Sequence, residues 1–119
     1  MTQKEKQLLL KDLCARLPYG VEIVCEASKI SLTLSAHMLD EIIKDGNELQ
    51  WKPYLRPMSS MTEEECITLS RLKPYDIDAW KYIKTPVPLY IANIEQFNFF
   101  HRHHLDWRGL IPKGLALEA

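Results

Sequence analysis

Val21-Glu22-Ile23-Val24-Cys25-Glu26-Ala27-Ser28-Lys29-Ile30-Ser31-Leu32-Thr33-Leu34-Ser35-Ala36 alternates, turns and alternates again, and this decides the fold class. Val21, Ile23 and Cys25 are interleaved with Glu22 and Glu26, and Ile30, Leu32, Leu34 and Ala36 with Ser31, Thr33 and Ser35. A period of two places apolar side chains on one side of an extended chain and polar ones on the other. With Ala27-Ser28-Lys29 between the runs, the pattern predicts an antiparallel hairpin. One face of that hairpin is apolar, so it needs a cover.

The segment before it offers one. Thr2 with Glu5 forms a capping box, and Leu10, Leu13, Cys14 and Leu17 recur at helical spacing. Lys4, Lys6, Lys11 and Arg16 fall on the wetter sides, and Pro18-Tyr19-Gly20 ends the helix. After the hairpin the period changes. Met38, Leu39, Ile42 and Ile43 mark one side of a short helix stopped at Gly46, although the Ile-Ile pair also suits a strand. Leu49 and Trp51 suggest a third short strand. Lys52-Pro53-Tyr54-Leu55-Arg56-Pro57 reads as an extended connector, because its two prolines disfavour both a helix interior and a central strand.

Thr62 with Glu65 opens another helix, with Ile67, Leu69 and Leu72 on its apolar side. Residues 73–86 carry no clear pattern. Val87, Leu89 and Ile91 read as a strand that Pro88 restricts to an edge. Asn93 and Gln96 introduce a last helix running to about Leu105, with Ile94, Phe97 and Phe100 on its apolar side. Beyond it Leu110, Ile111, Leu115 and Ala116 are expected to pack back onto the body. The expectation is one α+β domain over residues 1–119, a small antiparallel sheet packed by the N- and C-terminal helices. A half-open β-barrel of residues 21–57 with flanking helices is the alternative, should residues 37–44 extend as a strand.

The totals fit that size. With 119 residues, 46% of them apolar and 26% charged, the chain builds one core without metals or disulfides. A net charge of −1 argues against a non-specific nucleic-acid binder, which needs a large basic excess. A local basic patch of Lys4, Lys11, Arg16, Arg102 and Arg108 is the remaining route to nucleic acid. Cys14, Cys25 and Cys66 are odd in number and form no metal-binding pair, which suits reduced, mostly buried thiols in a cytoplasm. Lys11 and Asp12 interrupt Leu8-Leu9-Leu10 before it reaches the length of a signal sequence, and no run approaches a membrane span.

Three stretches carry a family resemblance: Asp12-Leu13-Cys14-Ala15-Arg16-Leu17-Pro18-Tyr19-Gly20-Val21, the run from Lys52-Pro53-Tyr54-Leu55-Arg56-Pro57-Met58-Ser59-Ser60-Met61 through Thr62-Glu63-Glu64-Glu65, and His103-His104-Leu105-Asp106-Trp107-Arg108-Gly109-Leu110-Ile111-Pro112-Lys113-Gly114 onward to Ala119. Together they resemble a set of small uncharacterised proteins of gut Bacteroidetes, many associated with prophages and mobile elements. The resemblance implies a bacterial or phage cytoplasmic protein, with residues 22–51 and 66–100 as the variable part, and it implies no activity. Similar chains often continue with a short tail beyond Leu117-Glu118-Ala119.

Several groups could carry chemistry. His101 and His104, three apart on the expected last helix beside His103, could share a metal if a third ligand came from elsewhere. Two ligands are not a site, and a packed, hydrogen-bonded imidazole is the commoner role. Cys14 or Cys25 with one of these histidines would be the minimum for thiol catalysis, but both lie on expected apolar faces. Glu63, Glu64 and Glu65 suit the first turn of a helix, and Asp76 and Asp78 near Trp80 read as solvated loop acids. Arg56, Ser59 and Ser60 stand before a helix N-terminus, a place suited to an anion or a partner contact. The structural account is a Ser60 or Thr62 cap, with Arg56 paired to a carboxylate such as Asp106. Trp107 and Arg108 are residue types that anchor partners, and equally Trp107 closes a core while Asp106 and Arg108 pin the turn.

The expected function is therefore a non-enzymatic binding or accessory protein acting through protein contacts, with no cofactor. A small metal-dependent protein or enzyme built on the histidine cluster is the alternative.

Overall fold

The computed structural model describes residues 2–72, 82 and 84–119. Its architecture is α+β: among the described residues, four α-helices and an open four-stranded sheet. The helices are α1 (Gln3–Arg16), α2 (Ala36–Asp45), α3 (Glu63–Leu72) and α4 (Ile94–Arg102), and the strands are β1 (Glu22–Cys25), β2 (Ile30–Thr33), β3 (Trp51–Leu55) and β4 (Leu117–Glu118). Residues 36–45 are helical and the sheet is open, so the barrel alternative does not form. Asp76, Asp78 and Trp80 lie outside the described residues.

The strand order is β2-β1-β3-β4. β1 pairs antiparallel with β2 (Ile23 opposite Leu32, Cys25 opposite Ile30) and with β3 (Ile23 opposite Pro53, Cys25 opposite Trp51). β4 joins β3 in parallel, Tyr54 opposite Leu117, so the sheet is mixed rather than wholly antiparallel. The returning tail runs alongside β3 and sets that direction: Arg56 N–H donates to His104 O, Asp106 N–H to Arg56 O and Ala119 N–H to Leu55 O, each at 2.8 Å.

The expected connector is thus a strand. Pro53 is tolerated because β4 begins opposite Tyr54, leaving Pro53 with a strand neighbour only on the β1 side. Locally it occupies an edge, where a missing N–H costs no ladder bond. Asn47 locks the start of β3, its Oδ1 accepting from Trp51 N–H at 2.9 Å and its Nδ2 donating to Trp51 O at 3.2 Å. The strand expected over Val87, Leu89 and Ile91 is absent. Prolines flank Val87, whose N–H donates to Trp107 O at 2.7 Å, and Ile91 closes a turn onto Pro88.

Helix ends follow the sequence signals. Thr2–Glu5, Thr62–Glu65 and Asn93–Gln96 all form reciprocal capping boxes. Ser35 caps α2, and Gly46 closes it with φ +66°, a conformation that costs a residue with a Cβ.

The faces of α1 and α4 are rotated from expectation. On α1 the buried residues are Leu9, Asp12, Leu13 and Arg16, whereas Cys14 is exposed. On α4 they are Gln96, Phe99, Phe100 and His101, whereas Ile94 stands 78% exposed at the first turn. In both helices a polar residue with a buried partner displaces an apolar one, a choice that hydropathy alone does not register.

Two apolar clusters result. In the first, Leu9 and Leu13 of α1 and Leu39 and Ile42 of α2 cover Ile23, Cys25, Trp51 and Leu55 of the sheet, and Leu110, Leu115 and Ala116 of the tail pack back as expected. In the second, Cys66 and Leu69 of α3 and Phe99 and Phe100 of α4 enclose Met58, Met61, Val87, Leu105 and Trp107.

Candidate functional site

Between the clusters lies a buried ionic network. Asp12 is fully buried and accepts from Arg16 Nε at 2.8 Å and from Arg108 Nε at 3.0 Å. Arg16, also fully buried, donates through Nη2 to Leu105 O at 2.7 Å. The Arg108 guanidinium stacks 4.2 Å from the Trp107 ring centroid, and Trp107 Nε1–H donates to His101 Nε2 at 3.0 Å. Asp106 turns the chain, its two carboxylate oxygens accepting from the Leu110 and Ile111 N–H groups. Trp107 and Arg108 thus act as a core wedge and a charge clamp. Because Arg16 and Arg108 are drawn inward, neither adds to a surface basic patch with Lys4 and Lys11.

The histidines separate. Helix α4 ends at Arg102, short of Leu105, so His104 is off the helix and takes the left-handed conformation at φ +57°. His101 is buried beside Trp107, and burial pushes its pKa down to about 4, with the nearby Arg16 charge acting in the same direction. Burial and Arg16 also lower His104. Neutral at ordinary pH, His101 uses Nε2 as an acceptor within the core. His103 stacks on Phe99 and its Nδ1 lies 3.5 Å from Glu65. Among the described residues no group of three or more His, Cys, Asp or Glu side chains is placed to hold a metal.

The Arg56 corner is spent internally as well. Its guanidinium forks onto Glu65 (Nη1 to Oε2 2.9 Å, Nη2 to Oε1 2.7 Å), and its Nε donates to Ser60 Oγ at 3.2 Å. Glu65, not Asp106, is its carboxylate partner, and Thr62 caps the helix. The Arg56 fork, with the Thr62 N–H behind it, holds the Glu65 pKa at about 2. Ser59 is exposed beside this corner. An anion entering here would have to displace Glu65. Of the cysteines, Cys25 is buried and its Sγ–H donates to Leu49 O at 3.4 Å, while Cys14 stands alone on the exposed side of α1.

Sequence reading did not find the outer edge of β2. Among the described residues no strand flanks it there, and all four of its residues are exposed. Leu34 N–H donates to Val21 O, so the hydrogen-bonded pairs of the β1–β2 ladder fall at 21/34, 23/32 and 25/30. The N–H and C=O groups of Ser31 and Thr33 therefore point away from β1. Ile30 and Leu32 share the core face of the sheet with Cys25 and Ile23, yet they are 52% and 41% exposed, because the helices cover β1 and β3 and stop short of β2. Leu49, whose carbonyl accepts from the Cys25 thiol, is 57% exposed. On the opposite face a depression of about 550 Å³ is lined by Glu22, Ser31, Thr33, Tyr54 and His104, with Ser31 Oγ hydrogen-bonded to Glu22. Edge strands are usually blunted by shortness, charge, proline or a bulge; Ile30-Ser31-Leu32-Thr33 is short, at four residues, and has none of the others.

Comparison with protein-family models, with curated proteins and with solved structures gives no match.

Proposed function

We propose that this is a non-enzymatic binding protein that acts through protein contacts, taking an extended segment of a partner as an added strand along β2. The observation that carries this reading is an edge left unpaired among the described residues: outward backbone donors and acceptors at Ser31 and Thr33, beside the exposed apolar side chains of Ile30 and Leu32. In strand addition the backbone bonds supply affinity, and side-chain pockets beside the edge supply selectivity. The depression lined by Glu22, Tyr54 and His104 lies next to that edge and would take alternate side chains of the added strand. The clusters that could have suggested catalysis, His101 with Trp107 and Arg56 with Glu65, have their polar groups committed to one another. A bacterial or phage cytoplasmic accessory protein, encoded by a prophage or mobile element, is the setting consistent with the resemblance of the three motifs.

Ser31→Pro tests it. The Ser31 N–H points away from β1, so proline there removes an outward donor without breaking the β1 ladder. In affinity capture from native lysate followed by cross-linking, the expected outcome is a partner retained by the wild type and by Ser31→Ala, which drops the same Oγ bond to Glu22, and lost, at least tenfold, by Ser31→Pro, with circular dichroism showing each variant folded. Equal capture by both proteins, or none by the wild type, would overturn the proposal.

A further inference from the structure

The edge of β2 carries charge on one face only, and we infer that it selects a partner segment with a lysine or arginine opposite Ser31, flanked on both sides by apolar residues. The inference rests on the strand-addition reading of β2 and names the chemistry of the segment that it takes.

Parity places the side chains. Residues that face each other across a ladder project on the same side of the sheet, and their neighbours project on the other. Ser31 shares a face with Glu22 and Tyr54, away from the helices. An added residue opposite Ser31 therefore joins Glu22 on that face. The residues before and after it meet the exposed Ile30 and Leu32 on the core face.

The Glu22 face favours a cation. Ser31 Oγ–H donates to Glu22, which brings the carboxylate from β1 across β2 towards the open edge. Among the described residues Glu22 has no ion-pair partner: Lys52 pairs with Glu26, and the Lys29 charge acts on that same Glu26 carboxylate. Among these residues no Lys or Arg lines the depression beside the edge, and Glu22 is the one acidic side chain that does. Burial and the Arg16 charge lower the pKa of His104, so its imidazole is neutral at ordinary pH and does not repel an incoming cation. Tyr54 adds an aromatic ring to the lining, a group that attracts cations.

Reach decides the kind of cation. Two strand spacings, about 10 Å, separate β1 from an added strand. Glu22 covers part of that gap by bonding to Ser31, and the long stem of Lys or Arg covers the rest. So exposed an ion pair changes affinity only a few-fold, so it selects among segments while the backbone bonds hold them.

The experiment follows the Ser31 and Thr33 amide signals of the full chain by NMR during titration with end-blocked peptides Ser-Thr-Val-X-Val-Thr-Ser, X being Arg, Lys, Gln or Glu. The expected result is that the Arg and Lys peptides shift those signals and bind about threefold or more tighter than the Gln peptide, with the Glu peptide weakest. Salt at about 1 M should remove the preference. Glu22→Gln, which keeps an acceptor for Ser31, should equalise the Arg and Gln peptides, and Glu22→Lys should favour the Glu peptide. Circular dichroism checks that each variant is folded. Equal binding of all four peptides, or an Arg preference that survives Glu22→Gln, overturns the inference and leaves strand addition standing. If no peptide shifts those amides, or if they shift only as the chain itself is concentrated, the inference also falls. Capture by the wild type against Ser31→Pro then decides strand addition by itself.

Discussion

The two apolar clusters are built by different means. The first is made mainly of regular elements, with α1 and α2 laid over β1 and β3 and the tail's Leu110, Leu115 and Ala116 added, and its members alternate by two on the strands and by three or four on the helices. Among the described residues, the second takes its buried members Cys66, Leu69, Phe99 and Phe100 from α-helices, and draws Met58, Met61, Val87, Ala92, Leu105 and Trp107 from turns and connections. Regular elements bury a face by periodicity, whereas turns need individual hydrogen bonds to hold each side chain inward. Asp106 on the Leu110 and Ile111 amides, and Trp107 on His101, are bonds of that kind. They also join the halves, since Trp107 belongs to one cluster and Leu110 to the other.

Asp12 should be the most damaging place to break this arrangement. It is the carboxylate partner of both Arg16 and Arg108, and Asp12→Asn leaves one fully buried and one partly buried guanidinium group without that counter-charge. Removing one member of a buried pair costs about 3–5 kcal/mol, mostly as the stranded charge. Because the network lies between the clusters, both Trp51 in the sheet half and Trp107 in the helical half should report the loss in denaturant titrations. A cost below about 1 kcal/mol would mean that the clusters hold together without the network.

Acid should come next, acting first on the helical half. His101 titrates near 6.5 in the unfolded chain and at about 4 when folded, since burial opposes its charge. Its folded pKa is depressed, so its contribution is fully present above pH 6.5 and is lost as pH falls toward 4. The difference is worth up to about 3 kcal/mol. Glu65 follows the same sign lower down: held at about 2 by Arg56, it contributes above its unfolded value of 4.5 and loses that contribution as pH falls toward 2. The expected profile is a decline in stability beginning near pH 6.5, measured by thermal unfolding. His101→Asn should flatten the upper part of it and leave the lower part in place. A profile unchanged by His101→Asn would show that the imidazole is not held neutral by burial.

The contrast between halves also explains what was legible beforehand. Hairpin, helix positions and the Thr2 and Gly46 ends are local patterns in the sheet half, and they read correctly apart from Ser35 and Ala36, which continue the strand alternation in sequence but cap and open α2. The face of α1 did not, because Leu8-Leu9-Leu10 offers apolar residues at three successive angles. The choice among them was made by Asp12 and Arg16 turning inward to meet Arg108, 96 residues away from Asp12. Asp12 and Arg16 at i, i+4 did carry a signal for their own pairing. The Pro53 strand, the absent strand at Val87 and the parallel β4 all depend on neighbours far along the chain. So does the candidate site, since no local pattern says which strand of a sheet will be left at its edge. Arg56 and Ser60 stand out in the sequence for lying before a helix N-terminus and Trp107 for its residue type, and bonds within ten residues, Arg56 to Glu65 and Ser60 and Trp107 to His101, make them clamps.

The capping boxes give the smallest and cleanest comparison, because one motif serves both halves in different settings. Thr2 and Glu5 close theirs on an exposed helix end, and among the described residues neither side chain bonds beyond the box. In the box of α4, Asn93 Nδ2 also donates to Leu72 O at 3.2 Å, and the fully buried Gln96 donates through Nε2 to Leu69 O at 2.9 Å, so the cap fastens α4 to α3. Loss of an exposed cap costs about 0.5–1 kcal/mol. Loss of one that also satisfies a part-buried carbonyl costs about 1 kcal/mol more. Thr2→Ala should therefore sit near the bottom of that range and Asn93→Ala near 2 kcal/mol, read from denaturant midpoints at constant slope. Equal costs would place the second box on the same footing as the first, as a local helix signal rather than a tie between helices. The larger Asn93 effect would mean that the helical half uses even its helix starts to supply the long-range bonds that its turns require.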